Sequence, residues 1–230
     1  NYLAHARRLH RWTRGDWQLL PWLFSRRLSA ISHWKILDNL RRSLVAISLM
    51  IWFLFGWLVL PGTPWAWTVA GALVLAIPVF TGFFGALRRR LSGQPARQTE
   101  ASLRNSISRW LLSLAFLPYE AQVTADAIVK TLVRLGITHR GLLRWTTSDQ
   151  VARRLGDRGA LATWLQMVFS SVLAVVLVIL VYLLRPAALA WAAPLLATWF
   201  LAPGIAIWVG QPLLRREVKL DDSQVRELRR

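Results

Sequence analysis

The sequence has no cysteine, four histidines, and only 11 acidic residues against 29 Lys and Arg. The missing thiols exclude disulfides and thiolate metal sites, and they fit a reducing compartment. His5, His10, His33 and His139 show no metal-ligand spacing with a carboxylate. No glycine-rich loop of the phosphate-cradling kind is present; "GFFG" at 82–85 falls inside an apolar run, where it predicts helix packing. Of the few carboxylates, Asp221 and Asp222 form a solvated helix start in a mixed-charge tail, while Glu120 and Asp126 are expected to face water or pair with Lys130. The chain therefore contains no catalytic set. No cleavable signal peptide is expected at its start, which is basic and has no short apolar stretch followed by small residues. Because it begins with Asn1 inside a basic motif, we expect it to be a piece of a longer protein.

Apolar sequence dominates. Hydrophobic residues make up 55% of the 230 and charged residues 17%, too little charge for one or two soluble domains. Four runs carry no charge: 43–60, 65–87, 160–184 and 186–214, of 18, 23, 25 and 29 residues. At ~1.5 Å per residue, a helix of about 20 residues crosses the ~30 Å hydrocarbon layer. "PGTP" at 61–64 is long enough only for a tight turn, and Arg185–Pro186 makes another reversal. The runs thus pair into two hairpins. Pro78, Pro194 and Pro203 lie inside them, where lipid tolerates proline and a kink is expected.

The net charge of +18 suggests a nucleic-acid binder, but its distribution argues otherwise. Residues 1–43 hold nine Lys or Arg, 88–159 hold thirteen and 210–230 hold six, leaving only Arg185 on the other side of the hairpins. Basic segments stay cytoplasmic, so both ends and the central loop should face the cytosol. Topology explains the cations without nucleic acid. The predicted fold is an all-α membrane protein with four transmembrane helices in two hairpins plus amphipathic interfacial helices. Its divisions are 1–42 (site motif and interfacial helices), 43–87 (first hairpin), 88–159 (cytosolic amphipathic helices), 160–214 (second hairpin) and 215–230 (cytosolic tail). Within 88–159, one helix opens at Thr99 or Ser102 and ends at Pro118, and a second ends at Gly136. A short basic helix capped by Thr147 or Ser148 follows, ending near Gly156. The Arg88–Arg90 run is chiefly a topology signal that also suits anionic headgroups.

Of the fourteen tryptophans, Trp65, Trp67, Trp164 and Trp191 flank spans, and Trp110 and Trp145 fit interfacial anchoring. The exception is "RRLHRWTRGDW" at 7–17, which concentrates four arginines, His10, Asp16, Trp12 and Trp17. Guanidinium forks suit bidentate phosphate binding, and an indole face offers an apolar plate to a hexose. Arg8-Leu9-His10-Arg11-Trp12 could therefore hold a nucleotide diphosphate beside a sugar chain, or anchor the chain to headgroups.

The RxxRW spacing resembles the QxxRW signature of processive family-2 glycosyltransferases. Together, "RRLHRWTRGDWQLLPWL", "LSAISHWKILDNLRRSLVA", "LPYEAQVTADAIVKTLVRL" and "LLRWTTSDQ" resemble cyclic β-1,2-glucan synthases, glycosyltransferase family 84, over residues 7 to about 150. The last two spans fit in kind and order. The pairing of "HRWTRGDWQ" with "WKILDNLRRSL" is the specific part. The resemblance implies a large bacterial inner-membrane enzyme that transfers glucose from UDP-glucose with inversion. Its catalytic carboxylates and divalent metal (Mg or Mn) would lie in a cytosolic domain before residue 1, with hydrolase-like and phosphorylase-like domains after residue 230. It implies that Arg11, with Arg8 where the signature has Gln, binds the nucleotide, and that Trp12, Asp16, Trp17 and Gln18 serve the acceptor. Partners would be UDP-glucose, the glucan chain, an anionic bilayer and the neighbouring domains, with no nucleic acid. The competing readings are a synthase of another polysaccharide and a non-catalytic transporter or scaffold subunit. Against a proton-coupled transporter, the spans carry no ionisable charge.

Overall fold

Proline sets where several of the helices begin and bend. The structure, a computed structural model, describes residues 2–92, 96–140 and 160–211, with backbone only at 96–99. Helix α1 (Tyr2–Gln18) is followed by a 3₁₀ turn, Leu20–Phe24, that opens on Pro21. Helix α2 (Ala30–Leu58) starts at Ser29, whose side chain accepts the Ser32 N–H. Helices α3 (Pro64–Val74) and α7 (Pro186–Val209) each open on a proline in the first turn, where the missing N–H costs nothing. Between them lie α4 (Ile77–Leu91), α5 (Ala96–Val133), a π turn (Arg134–Thr138) and α6 (Ala160–Leu184). No strand forms among the described residues. The predicted all-α membrane architecture is borne out. Three helices (α2, α6, α7) are long and apolar enough to cross a bilayer, and the bent pair α3–α4 can supply a fourth crossing. Thr147, Ser148 and Gly156, the tail with Asp221 and Asp222, and the last residues of the 186–214 run lie outside the described residues.

The first span differs from its sequence boundary. Helix α2 begins thirteen residues before Ser43, so the stretch "AISHWKILDNLRR" is continuous with the span. The second run is broken: α3 and α4 meet at 62°. Pro78 explains the position, because its ring cannot sit against the carbonyl four residues back, which belongs to Val74, the last residue of α3. The break turns the Ala76 N–H to Leu73 O, and the Trp110 indole N–H supplies the Ala72 carbonyl at 2.9 Å. Trp110 is thus committed to α3 rather than to interfacial anchoring.

Pro118 does the opposite of what its sequence context predicts. Helix α5 runs through it unbroken for 38 residues. The carbonyl that Pro118 leaves without an N–H partner is that of Leu114, and the fully buried Trp199 of α7 donates its indole N–H to it at 2.8 Å. A buried unpaired carbonyl would cost about 1–3 kcal/mol, so the indole lets the proline stay in the helix. Trp199 also packs with Phe53 and Trp57 of α2, with ring centroids 5.3–6.1 Å apart, at the centre of the bundle. In α7, Pro194 and Pro203 are likewise contained within a single helix.

Small residues allow close approach elsewhere. An added Cβ at Gly56 would lie 2.6 Å from Trp67 Cβ, and one at Gly71 2.6 Å from the Phe53 ring, so the α2–α3 hairpin requires both glycines. Gly82 of the "GFFG" motif faces Ser106 of α5 just as closely, which makes that motif a packing feature. Arg185, the lone cation between α6 and α7, donates to Leu60 O at 2.7 Å and to Gly62 O, closing the end of α2. Its role there is a helix cap.

Candidate functional site

Helix α1 has two faces. Leu3, Ala6 and Thr13 are buried, and Leu3 and Ala6 pack with Phe116 and Tyr119 of α5, Met167 of α6, and Ala202 and Ala206 of α7. Three side chains fix its orientation. The Tyr2 ring stacks on Phe116 with centroids 3.8 Å apart, His10 Nε2 meets Asp126 Oδ2 at 3.0 Å, and the Trp17 indole N–H donates to Ser43 Oγ at 2.9 Å. With that face pinned, helical spacing turns Arg8, Arg11, Trp12 and Gly15 outward on one arc.

The outward arc meets the third and fourth turns of α2 in an open cleft of about 620 Å³. Arg11, Trp12, Arg14, Asp16 and Gln18 form the α1 side, and Asn39, Arg42 and Ser43 the α2 side. Trp12 is 58% exposed and offers its indole at the rim. On the opposite wall Arg42 donates to Asn39 Oδ1, and Asn39 Nδ2 donates to Asp16 Oδ1 at 3.2 Å. Burial pushes the Asp16 carboxyl above its usual range, opposed by the Arg42 charge and the Asn39 hydrogen bond. Burial and the nearby Arg134 lower Arg14, whose Nε is buried with no hydrogen-bond partner among the described residues. Three guanidiniums against one carboxylate make the cleft cationic, with an aromatic plate at its edge. That combination suits an anion bearing phosphates next to a neutral ring with one apolar face.

The structure brings Arg11, Trp12, Asp16 and Gln18 into this one cleft. It does not bring Arg8 or Trp17 there. Arg8 is exposed one turn earlier on α1, and Trp17 ties α1 to α2 through Ser43, whose hydroxyl in turn donates to Leu40 O at 2.7 Å. Arg14, Asn39 and Arg42 were missed from sequence. Their signal was present in the pairing of "HRWTRGDWQ" with "WKILDNLRRSL": Asp16–Asn39 and Trp17–Ser43 are contacts between those two stretches.

Of the two acids expected to face water or pair with Lys130, only Glu120 differs. Asp126 does pair with Lys130, at 2.7 Å, but bridges to His10 as well. Glu120 is partly buried against α1, within 3.4 Å of the Tyr2 hydroxyl, and burial raises its pKa to about 7, the Tyr2 hydrogen bond acting in the other direction. Among the described residues no three or more His, Asp or Glu converge as a metal site would require. The cleft, with one carboxylate among three arginines, has the wrong donors for a divalent cation.

Fold and site together define a helical membrane segment carrying a cationic, aromatic-edged cleft where α1 meets α2. No family model matches the chain. It is similar to the cyclic β-(1,2)-glucan synthase NdvB of Rhizobium meliloti (strain 1021), with 30% identity over 218 residues. The match covers 87% of this chain and 8% of that protein's length. It bears out the resemblance to cyclic β-1,2-glucan synthases carried by the four motifs.

Proposed function

We propose that this chain is the membrane part of a processive glycosyltransferase that makes cyclic β-1,2-glucan from UDP-glucose. The observation that carries this reading is the gathering of Arg11, Trp12, Asp16 and Gln18 into one cleft, in a chain similar to a glucan synthase over most of its length. In this reading Arg11 neutralises the diphosphate, with Arg14 and Arg42 on the flanking walls. Trp12 stacks on the terminal glucose, and Asp16 and Gln18 accept and donate hydrogen bonds to its hydroxyls. Asn39 holds Asp16 in place, and its hydrogen bond with the Arg42 charge keeps that carboxyl available as an acceptor against the effect of burial. The arginines favour the diphosphate more as negative charge collects on the leaving group, which is how fixed cations assist such a transfer.

The base and the divalent metal belong to another domain of the polypeptide, because the cleft's donors suit neither. The cation distribution supports an orientation with α1 and the α4–α5 region on the cytosolic side of the bacterial inner membrane, where nucleotide sugars are made. The apolar helices support a route for the glucan across the bilayer. Trp12→Ala in the complete enzyme tests this directly. Glucan elongation from UDP-glucose falls at least 100-fold while membrane insertion and protein level stay unchanged. Normal glucan yield overturns the assignment, and a product of different linkage or sugar in the unmodified enzyme identifies a synthase of another polysaccharide.

A further inference from the structure

The 62° break between α3 and α4 has a consequence for α2. Helix α3 packs along α2, but α4 leaves it and packs on α5 instead. One side of the first half of α2 is left uncovered there, forming a lateral groove of about 680 Å³. Leu37, Leu44 and Trp52 of α2 line it with Ala70 and Val74 of α3, and Ser48 lies at its middle. From Leu37 to Trp52 is ~22 Å at ~1.5 Å per residue, enough to cross one ~15 Å leaflet and reach the headgroup layer.

The groove is apolar along its length and cationic at one mouth. Arg41 stands at that mouth with its side chain 73% exposed, engaged by Asp38 through one Nη at 2.8 Å. Asp38 is shared between Arg41 and Arg42, whose Nε lies 3.5 Å from its other oxygen, so Arg41 keeps part of its positive charge at the mouth. Trp34 is exposed beside it, as an interfacial tryptophan is. Chemistry chooses among occupants. A glucan would leave its hydroxyls without partners, since only Ser48 and Arg41 are polar.

We propose that this groove binds one anionic phospholipid, its acyl chain lying along α2 and its phosphate meeting Arg41. The site stands apart from the α1–α2 cleft and does not depend on its assignment. The test reconstitutes the full chain in nanodiscs containing equal phosphatidylglycerol and phosphatidylcholine and counts lipids retained by native mass spectrometry. Phosphatidylglycerol is retained at least three-fold over phosphatidylcholine. Arg41→Gln and Ser48→Trp each reduce that retention at least three-fold, the first by removing the charge and the second by filling the groove. Arg27→Gln, an equal loss of charge at an exposed position outside the groove, leaves retention unchanged. Equal retention of the two lipids, an equal drop in Arg27→Gln, or a dimer cross-linked through Ser48→Cys overturns the proposal. Arg41→Gln alters an exposed side chain, so the test survives if Ser48→Trp fails to fold.

Discussion

Trp199→Phe isolates the bond that lets α5 carry a proline. The substitution keeps an aromatic ring beside Phe53 and Trp57 but removes the indole N–H aimed at Leu114 O, which is 2.8 Å away in a fully buried position. The N–H that would ordinarily serve that carbonyl belongs to residue 118, and Pro118 has none. The carbonyl is therefore stranded, at a cost of about 1–3 kcal/mol. The smaller ring adds roughly 1 kcal/mol of lost packing. The total expected loss is about 2–4 kcal/mol. Pro118→Ala restores the helical donor, so in that background Trp199→Phe should cost only the packing part. Reversible unfolding in mixed micelles, followed by tryptophan fluorescence and circular dichroism on all four proteins, closes the cycle. A coupling of at least 1 kcal/mol is expected. Additive effects, with coupling below ~0.5 kcal/mol, would show that the indole bond does not compensate for the proline.

Glu120→Gln tests the partly buried carboxyl. Its pKa is raised from 4.5 to about 7, so between those values the folded state holds a proton that the unfolded state has lost. Stability should therefore fall as pH rises from about 4.5 to 7 and level off above, by on the order of 3 kcal/mol. The glutamine variant should lose most of that slope in unfolding measured between pH 4.5 and 8. Gly56→Ala should destabilise by about 1–3 kcal/mol in the same unfolding assay, because its Cβ would lie 2.6 Å from Trp67 Cβ and the hairpin must part to admit it.

The membrane architecture was legible because it depends on run length and charge, which need no partner. The four uncharged runs, the Pro64 and Pro186 starts and the all-α class follow from local chemistry alone. What the sequence concealed were the compensations. Pro118 reads as a stop because local rules assign it no donor for Leu114 O; the donor comes from Trp199, 85 residues away. Trp110 reads as an interfacial anchor because its partner, Ala72 O, exists only after α3 breaks. Glu120 reads as solvent-facing because the helix that covers it, α1, lies 118 residues earlier at the Tyr2 contact.

The site shows the same division. Arg11, Trp12, Asp16 and Gln18 lie on neighbouring turns of one helix, so a short motif could place them together. Trp17 was grouped with them by adjacency, but helical rotation turns it to Ser43. Asn39 and Arg42 lie within the paired stretch "WKILDNLRRSL", but their place in the cleft depends on α2 beginning at Ala30 and laying its third and fourth turns beside α1.

The central claim is that the α1–α2 cleft faces the cytoplasm and holds a diphosphate beside a sugar. Gly15 lines the cleft with nothing within 4 Å of an added Cβ, and this chain has no cysteine of its own. Gly15→Cys, in a complete enzyme freed of other cysteines, should react with a membrane-impermeant maleimide in inside-out vesicles, and saturating UDP should slow that reaction at least five-fold. Labelling from the periplasmic side, or labelling indifferent to UDP, would contradict the account.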